Sequence, residues 1–379
     1  MRSLLFVVAS FCVTILCWGV YLPTLHVGQA AMSTTMTPAR LRPFVCVGLA
    51  YFLVGVIVPA VMLRLRGESG SWSVTGIIWS LAGGTLGALG ALGIVMAFNF
   101  GGRPVYVAPL VFGGAPVVNA FLTIYLAGRM REIGPLFLTG LMMVLLGSVT
   151  VLISAPTKEA TSAKTAAAAS DATSAKAESA GSATSSTPPW GRDIRQFVLQ
   201  MLSIATTMVC WGSYGVTLHK GQAAMGNSRL RPFLCVGLAY FAIAVVIPFL
   251  ILAVSPEAST FANVRGTLWS TAAGAAGALG ALGIIMAFNF GGKPVFVMPL
   301  VYGGAPVVAT LVSTAVAGLW GHIGPMFLAG LILVIAGAVM VLVFAPKGHA
   351  PAIAHAESKP AAVKNDAASH SERSEESGA

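Results

Sequence analysis

The amino-acid sequence predicts an all-α integral membrane protein of ten transmembrane helices, arranged as two inverted five-helix repeats. Three observations lead there. Of the 379 residues, 56% are hydrophobic and only 9% charged, too few charges to cover the surface of a soluble domain this long. The apolar residues fall into runs of about 20 or more, each able to cross a hydrocarbon core of about 30 Å as a helix. The second set of runs repeats the first: residues 87–118, GALGALGIVMAFNFGGRPVYVAPLVFGGAPVV, recur at 277–308 with only Val95/Ile285, Arg103/Lys293, Tyr106/Phe296, Ala108/Met298 and Phe112/Tyr302 changed.

The first run, Leu4 to Leu22, has the length and flank of a signal peptide. Its Cys17-Trp18-Gly19, however, recurs deep in the chain as Cys210-Trp211-Gly212. Both copies continue through a tyrosine (Tyr21, Tyr214), Thr-Leu-His (His26, His219) and Gly-Gln-Ala-Ala-Met, so run one is the partner of run six and belongs to the mature protein. Further runs lie at 43–63, 73–98, 104–126 and 134–154. The second series lies at 197–217, 233–254, 264–288, 294–317 and 324–345. Arg-Pro-Phe opens runs two and seven (Arg42, Arg231), and Gly-Pro opens runs five and ten (Gly134, Gly324). None alternates polar with apolar residues, so helices and not barrel strands are expected.

The chain divides into a first repeat at 1–156, a linker at 157–194, a second repeat at 195–346 and a tail at 347–379. The linker is rich in Ala, Ser, Thr, Lys and Glu, the tail in Ala, Ser and Glu, and both are poor in aromatics, a composition expected to stay disordered. Five helices per repeat is an odd number, so the second repeat enters the membrane with opposite orientation. Counting lysine and arginine outside the linker places the N- and C-termini inside, in a cell (inner or plasma) membrane.

Charge excludes several functions. The net charge of +10 comes from cations scattered at helix ends, which read as membrane flanks and not as a nucleic-acid surface. No aspartate or glutamate falls in an apolar run; outside linker and tail only Glu68, Glu132 and Glu257 occur, all in connections. With no HExxH, no GxSxG and no paired carboxylates, an enzyme is not expected. Cys12, Cys17, Cys46, Cys210 and Cys235 sit in apolar runs without CxxC spacing, implying no metal, cofactor or disulfide framework.

The candidate site residues come from the repeated features. Pro109, Gly113, Gly114 and Pro116, with Pro299, Gly303, Gly304 and Pro306, are expected to interrupt the fourth and ninth helices at mid-membrane. Paired interruptions in two halves mark the solute path of a transporter. Phe112 and Tyr302 precede the glycines. Trp18, Tyr21, Trp211 and Tyr214 form either an aromatic wall for a ring-bearing solute or an interfacial belt. His26 and His219, at the helix ends, are candidates for proton relay or for ordinary solvated positions. The third-helix glycines (Gly83, Gly84, Gly87, Gly90, Gly93; Gly274, Gly277, Gly280, Gly283) read as close packing of helices. Asn99 and Asn289 read as caps, and Arg103 and Lys293 as snorkelling anchors.

These motifs in this order resemble the drug/metabolite transporter superfamily (EamA-like). The resemblance rests on five plus five helices, Trp-Gly in the first helix of each half, and a Gly/Ala-rich third helix. A Pro-bearing fourth helix ending in Ala-Gly (Ala127-Gly128, Ala317-Gly318) and a Gly-rich fifth complete it. The chain looks most like the sugar-permease branch related to bacterial glucose-uptake and rhamnose transporters. It has Gly128-Arg129 and Gly318-Leu319 where many members have Gly-Glu. The resemblance implies a permease moving a small polar metabolite, a sugar foremost, by alternating access. The alternatives are an exporter of drugs or amphipathic metabolites, or a non-transporting scaffold or lipid translocase. The expected partners are a small-molecule substrate and bilayer lipid, without nucleic acid, and the candidate assembly is a homodimer.

Overall fold

A backbone without water to bond to must satisfy its own N–H and C=O groups, and every regular element among the described residues is helical. The computed structural model describes residues 2–34, 37–126, 128–155, 194–290 and 294–346. The expected linker, apart from Ile194, lies outside these residues, as do the tail, Ala127 and Lys293. Among the described residues ten helices are long and apolar enough to cross a membrane. They are α1 (Arg2–Met32), α2 (Leu41–Arg66), α3 (Val74–Asn99), α4 (Pro104–Leu126) and α5 (Pro135–Ser154). The second series is α6 (Ile194–Ala224), α7 (Leu230–Val254), α8 (Val264–Asn289), α9 (Pro294–Ala317) and α10 (Pro325–Phe344).

Two expectations need correction. Helices α1 and α6 are each 31 residues long and run well past the apolar stretches, so His26 and His219 lie inside helices and not at their ends. The less apolar extension of α1 is anchored by Gln29, whose Nε2 donates to Ala39 O (2.9 Å) and Val95 O (3.0 Å). Helices α4 and α9 are continuous through Gly-Gly-Ala-Pro. Pro116 removes only the donor that would reach Phe112 C=O. Interruptions do occur in α2 and α7, as π-helical turns at Leu53–Ile57 and Ala242–Val246. A Cβ added to Gly55 in the first would stand 3.2 Å from Gly237 Cα of α7, so the extra residue of each π turn sits where the two helices cross.

The halves interlock. The most extensive pairings join α1 to α8, α6 to α3, and α5 to α10, each across the two halves. Small residues make them close, since no hydrophobic effect drives helices together in lipid. Along α5–α10, a Cβ at Gly140 or Gly147 would lie within 3.0 Å of the backbone of α10. Equivalent contacts recur in exchange: Thr14 Oγ1 donates to Gly280 O (3.0 Å) and Thr207 Oγ1 to Gly90 O (3.1 Å). Ser73 caps α3 by accepting from Gly76 N–H (3.0 Å) and donates to Ala224 O at the end of α6 (2.7 Å). Asn263 does the same for α8, accepting from Gly266 N–H (2.9 Å) and donating to Ala31 O of α1.

Two polar knots close this pattern, and the sequence reading missed them. Glu68, in the connection after α2, accepts from the backbone N–H groups of Arg229 (3.0 Å) and Leu230 (3.1 Å) and from Ser228 Oγ (2.6 Å). It thereby caps α7 and pairs with both Arg229 and Arg231. Glu257, its counterpart after α7, accepts from Arg40 N–H (2.5 Å) and Ser259 Oγ (2.8 Å) and pairs with Arg42 at the start of α2. An aromatic ring completes each knot: Trp72 under Arg231 (5.9 Å) and Phe261 under Arg42 (5.5 Å).

Candidate functional site

The glycines of α3 and α8 seat the tryptophans of the opposite half. Trp18 Nε1 donates to Gly277 O and Trp211 Nε1 to Gly87 O, both at 3.2 Å. One turn on, Gly280 and Gly90 leave no room for a Cβ beside the Trp18 and Trp211 rings. The residue after each tryptophan is glycine for the same reason. A Cβ at Gly19 would run into Val308 of α9, and one at Gly212 would stand 2.6 Å from Ala115 O of α4.

These rings help enclose a cavity of ≈ 50 Å³ lined by Trp18, Tyr21, Tyr51, Phe112, Trp211, Tyr214, Tyr240, Tyr302 and three small residues, Gly87, Gly277 and Ala281. The aromatics form equivalent pairs, one from each half: Trp18 with Trp211, Tyr21 with Tyr214, Tyr51 with Tyr240, Phe112 with Tyr302. Tyr51 and Tyr240 stack face to face, ring centroids 3.7 Å apart, where α2 crosses α7. Tyr21 and Phe112 lie 6.1 and 6.2 Å from the Trp211 ring. Among the described residues no charged side chain lines the chamber. The Tyr21 hydroxyl is buried without a hydrogen-bond partner among the described residues. The chamber offers ring faces and hydroxyls, which suit an uncharged ring-bearing molecule. At about 10–15 Å³ per water it holds only a few waters as it stands.

Of the sequence-derived candidates, Trp18, Tyr21, Phe112, Trp211, Tyr214 and Tyr302 come together in this chamber. Gly113, Gly114, Gly303 and Gly304 do not line it. Gly113 faces Val334 of α10, Gly114 the thioether of Met208 on α6, Gly303 Ile335 of α10, and Gly304 Ile15 on α1. Their missing side chains are filled by neighbouring helices. Tyr51 and Tyr240 were missed, although Leu-Ala-Tyr-Phe recurs at 49–52 and 238–241. His26 packs edge-on against Phe98, centroids 4.9 Å apart, and lines a second cavity of ≈ 360 Å³ with Arg103. His219 is exposed, so the two histidines are not brought together. The side chain of Asn289 lies outside the described set.

Tyr106 accounts for one of the differences between the repeats. Gln200 Nε2 donates to its hydroxyl (2.8 Å), whereas the equivalent positions in sequence are Phe296 and Val7. The bond joins the two halves, and the sequence-equivalent positions carry apolar residues.

No family model matches the sequence, and no curated protein matches it. Among solved structures, one described as "Crystal structure of protein" is similar with a TM-score of 0.50 and 18% identity, over 90% of this chain and 98% of that one. That likeness is one of fold alone.

Proposed function

We propose that the chain is a secondary transporter, a permease that moves a small neutral polar metabolite, with a sugar the favoured class, by alternating access. Its ten spans form two inverted five-helix repeats, with both termini inside the cell membrane. The observation that carries the reading is the uncharged aromatic chamber built from equivalent residues of both halves. A solute site at a repeat interface is the arrangement on which halves rock. The small chamber volume fits a closed state, in which the aromatic rings separate only when one end opens. The absence of carboxylates from the spans speaks against proton coupling through an intramembrane acid, where such a group would cost about 2.5–3.5 kcal/mol. A non-transporting scaffold requires no chamber of this kind.

The reading is tested with the purified chain in sealed vesicles, following labelled hexoses, pentoses and larger amphipathic amines. Saturable hexose or pentose flux is expected, reduced about 5- to 150-fold in Trp18→Ala or Trp211→Ala, because stacking contacts of about 1–3 kcal/mol are lost. Flux of amphipathic amines without sugar flux would favour the exporter. Flux of neither would overturn the reading.

Orientation has its own test. Five helices precede residues 157–190, so with the N-terminus inside a protease added to spheroplasts is expected to cut there. The interlocked halves should remain associated and co-purify. Cleavage only after lysis would reverse the orientation.

A further inference from the structure

The cavity of ≈ 360 Å³ bordered by Pro23 and His26 of α1, Arg103 and Pro104 at the start of α4, and the end of α9 is of ligand size and has a different character from the aromatic chamber. Arg103 is partly buried there, and His26 borders the same cavity. Only three carboxylates occur among the described residues, and each is already engaged: Glu68 by Arg229 and Arg231, Glu132 by Arg129, Glu257 by Arg42. Among the described residues the Arg103 guanidinium has neither a carboxylate nor a side-chain hydrogen-bond partner, unlike those of Arg42 and Arg231 at the other helix starts. A partly desolvated guanidinium in a cavity beside an imidazole, with every acid among the described residues committed elsewhere, matches a planar or tetrahedral oxyanion, which it can grip with two parallel hydrogen bonds.

We propose that this cavity is an anion-binding site in which Arg103, assisted by His26, holds a carboxylate or phosphate group. That group belongs either to a water-soluble organic anion or to the headgroup of an anionic lipid. The site stands apart from the reading of the aromatic chamber: it can bind whether or not sugars are moved, and the measurement does not use transport.

The full chain is purified in neutral maltoside detergent and titrated calorimetrically with inorganic phosphate at constant ionic strength. In parallel, after exposure to mixed phosphatidylglycerol and phosphatidylcholine, retained lipid is read by native mass spectrometry. Saturable phosphate binding, weakened about tenfold or more in Arg103→Gln and less in His26→Gln, is expected for a soluble anion, since charged hydrogen bonds carry the contact. A single retained phosphatidylglycerol, lost in Arg103→Gln, supports the same site with a lipid headgroup as its source. Absence of both in the wild-type chain overturns the proposal, and so does binding unchanged in Arg103→Gln. Should that variant not fold, Arg103→Lys decides: the charge remains but the two-pronged grip is gone. Weakened binding supports the site and unchanged binding overturns it.

Discussion

Replacing Gly280 by alanine is expected to displace Trp18 and collapse its side of the aromatic chamber, and Gly90→Ala is expected to do the same to Trp211. The added Cβ would occupy the space of the indole Cδ1, and the ring cannot retreat while its Nε1 still reaches Gly277 O or Gly87 O. Overpacking costs about 1–3 kcal/mol, and the lost hydrogen bond adds about 0.5–1.5 kcal/mol. Each variant should therefore melt lower in detergent, with red-shifted tryptophan emission and reduced solute flux per folded molecule. Gly134→Ala serves as control, because no atom lies within 4 Å of a Cβ placed there and the backbone is extended (φ −92°, ψ 169°). A lowered melting temperature with unchanged flux per folded molecule would take the tryptophans off the solute path.

How much of this was legible depended on whether the signal was local. The ten spans were readable because each apolar run is its own evidence. The helix-three glycines read correctly as packing, since small residues at three- and four-residue spacing have that meaning wherever they fall. Gly-Gly-Ala-Pro misled because composition alone does not separate an interrupted helix from a notch filled by a neighbour, and Met208 and Ile15 lie far away in sequence. Tyr51 and Tyr240 were passed over for a similar reason: their repeated Leu-Ala-Tyr-Phe sits in ordinary apolar runs, and only the crossing of α2 and α7 stacks them. Glu68 and Glu257 carried a signal that went unused. In a chain with no carboxylate in its spans, these two stand at equivalent places, and their partners are the arginines of the repeated Arg-Pro-Phe.

Glu68→Ala is expected to be the most destabilising single change at the ends of the bundle, with Glu257→Ala close behind. Removing Glu68 strands Arg231 in a largely buried position (13% exposed) and uncaps α7. Breaking a buried pair from one side costs about 3–5 kcal/mol, an upper range here because Arg229 is 36% exposed. Glu132→Ala is the control: its pair with Arg129 spans one exposed helical turn and is worth about 0.3–0.5 kcal/mol. Restoring balance by also removing Arg231 should recover part of the Glu68→Ala loss. The effect should also be confined to one end, and two native cysteines report it. Cys46 lies one turn beyond Arg42, buried in a cluster with Met32 and Ala39 against Phe261. Cys235 lies one turn beyond Arg231 and is equally buried. If each knot holds its own end shut, Glu257→Ala raises maleimide labelling of Cys46 and leaves Cys235 protected, while Glu68→Ala does the reverse, site by site in peptide mass spectra. Equal labelling of both cysteines in either variant would mean global loosening, and the knots would then be structural ties with no part in opening the ends separately.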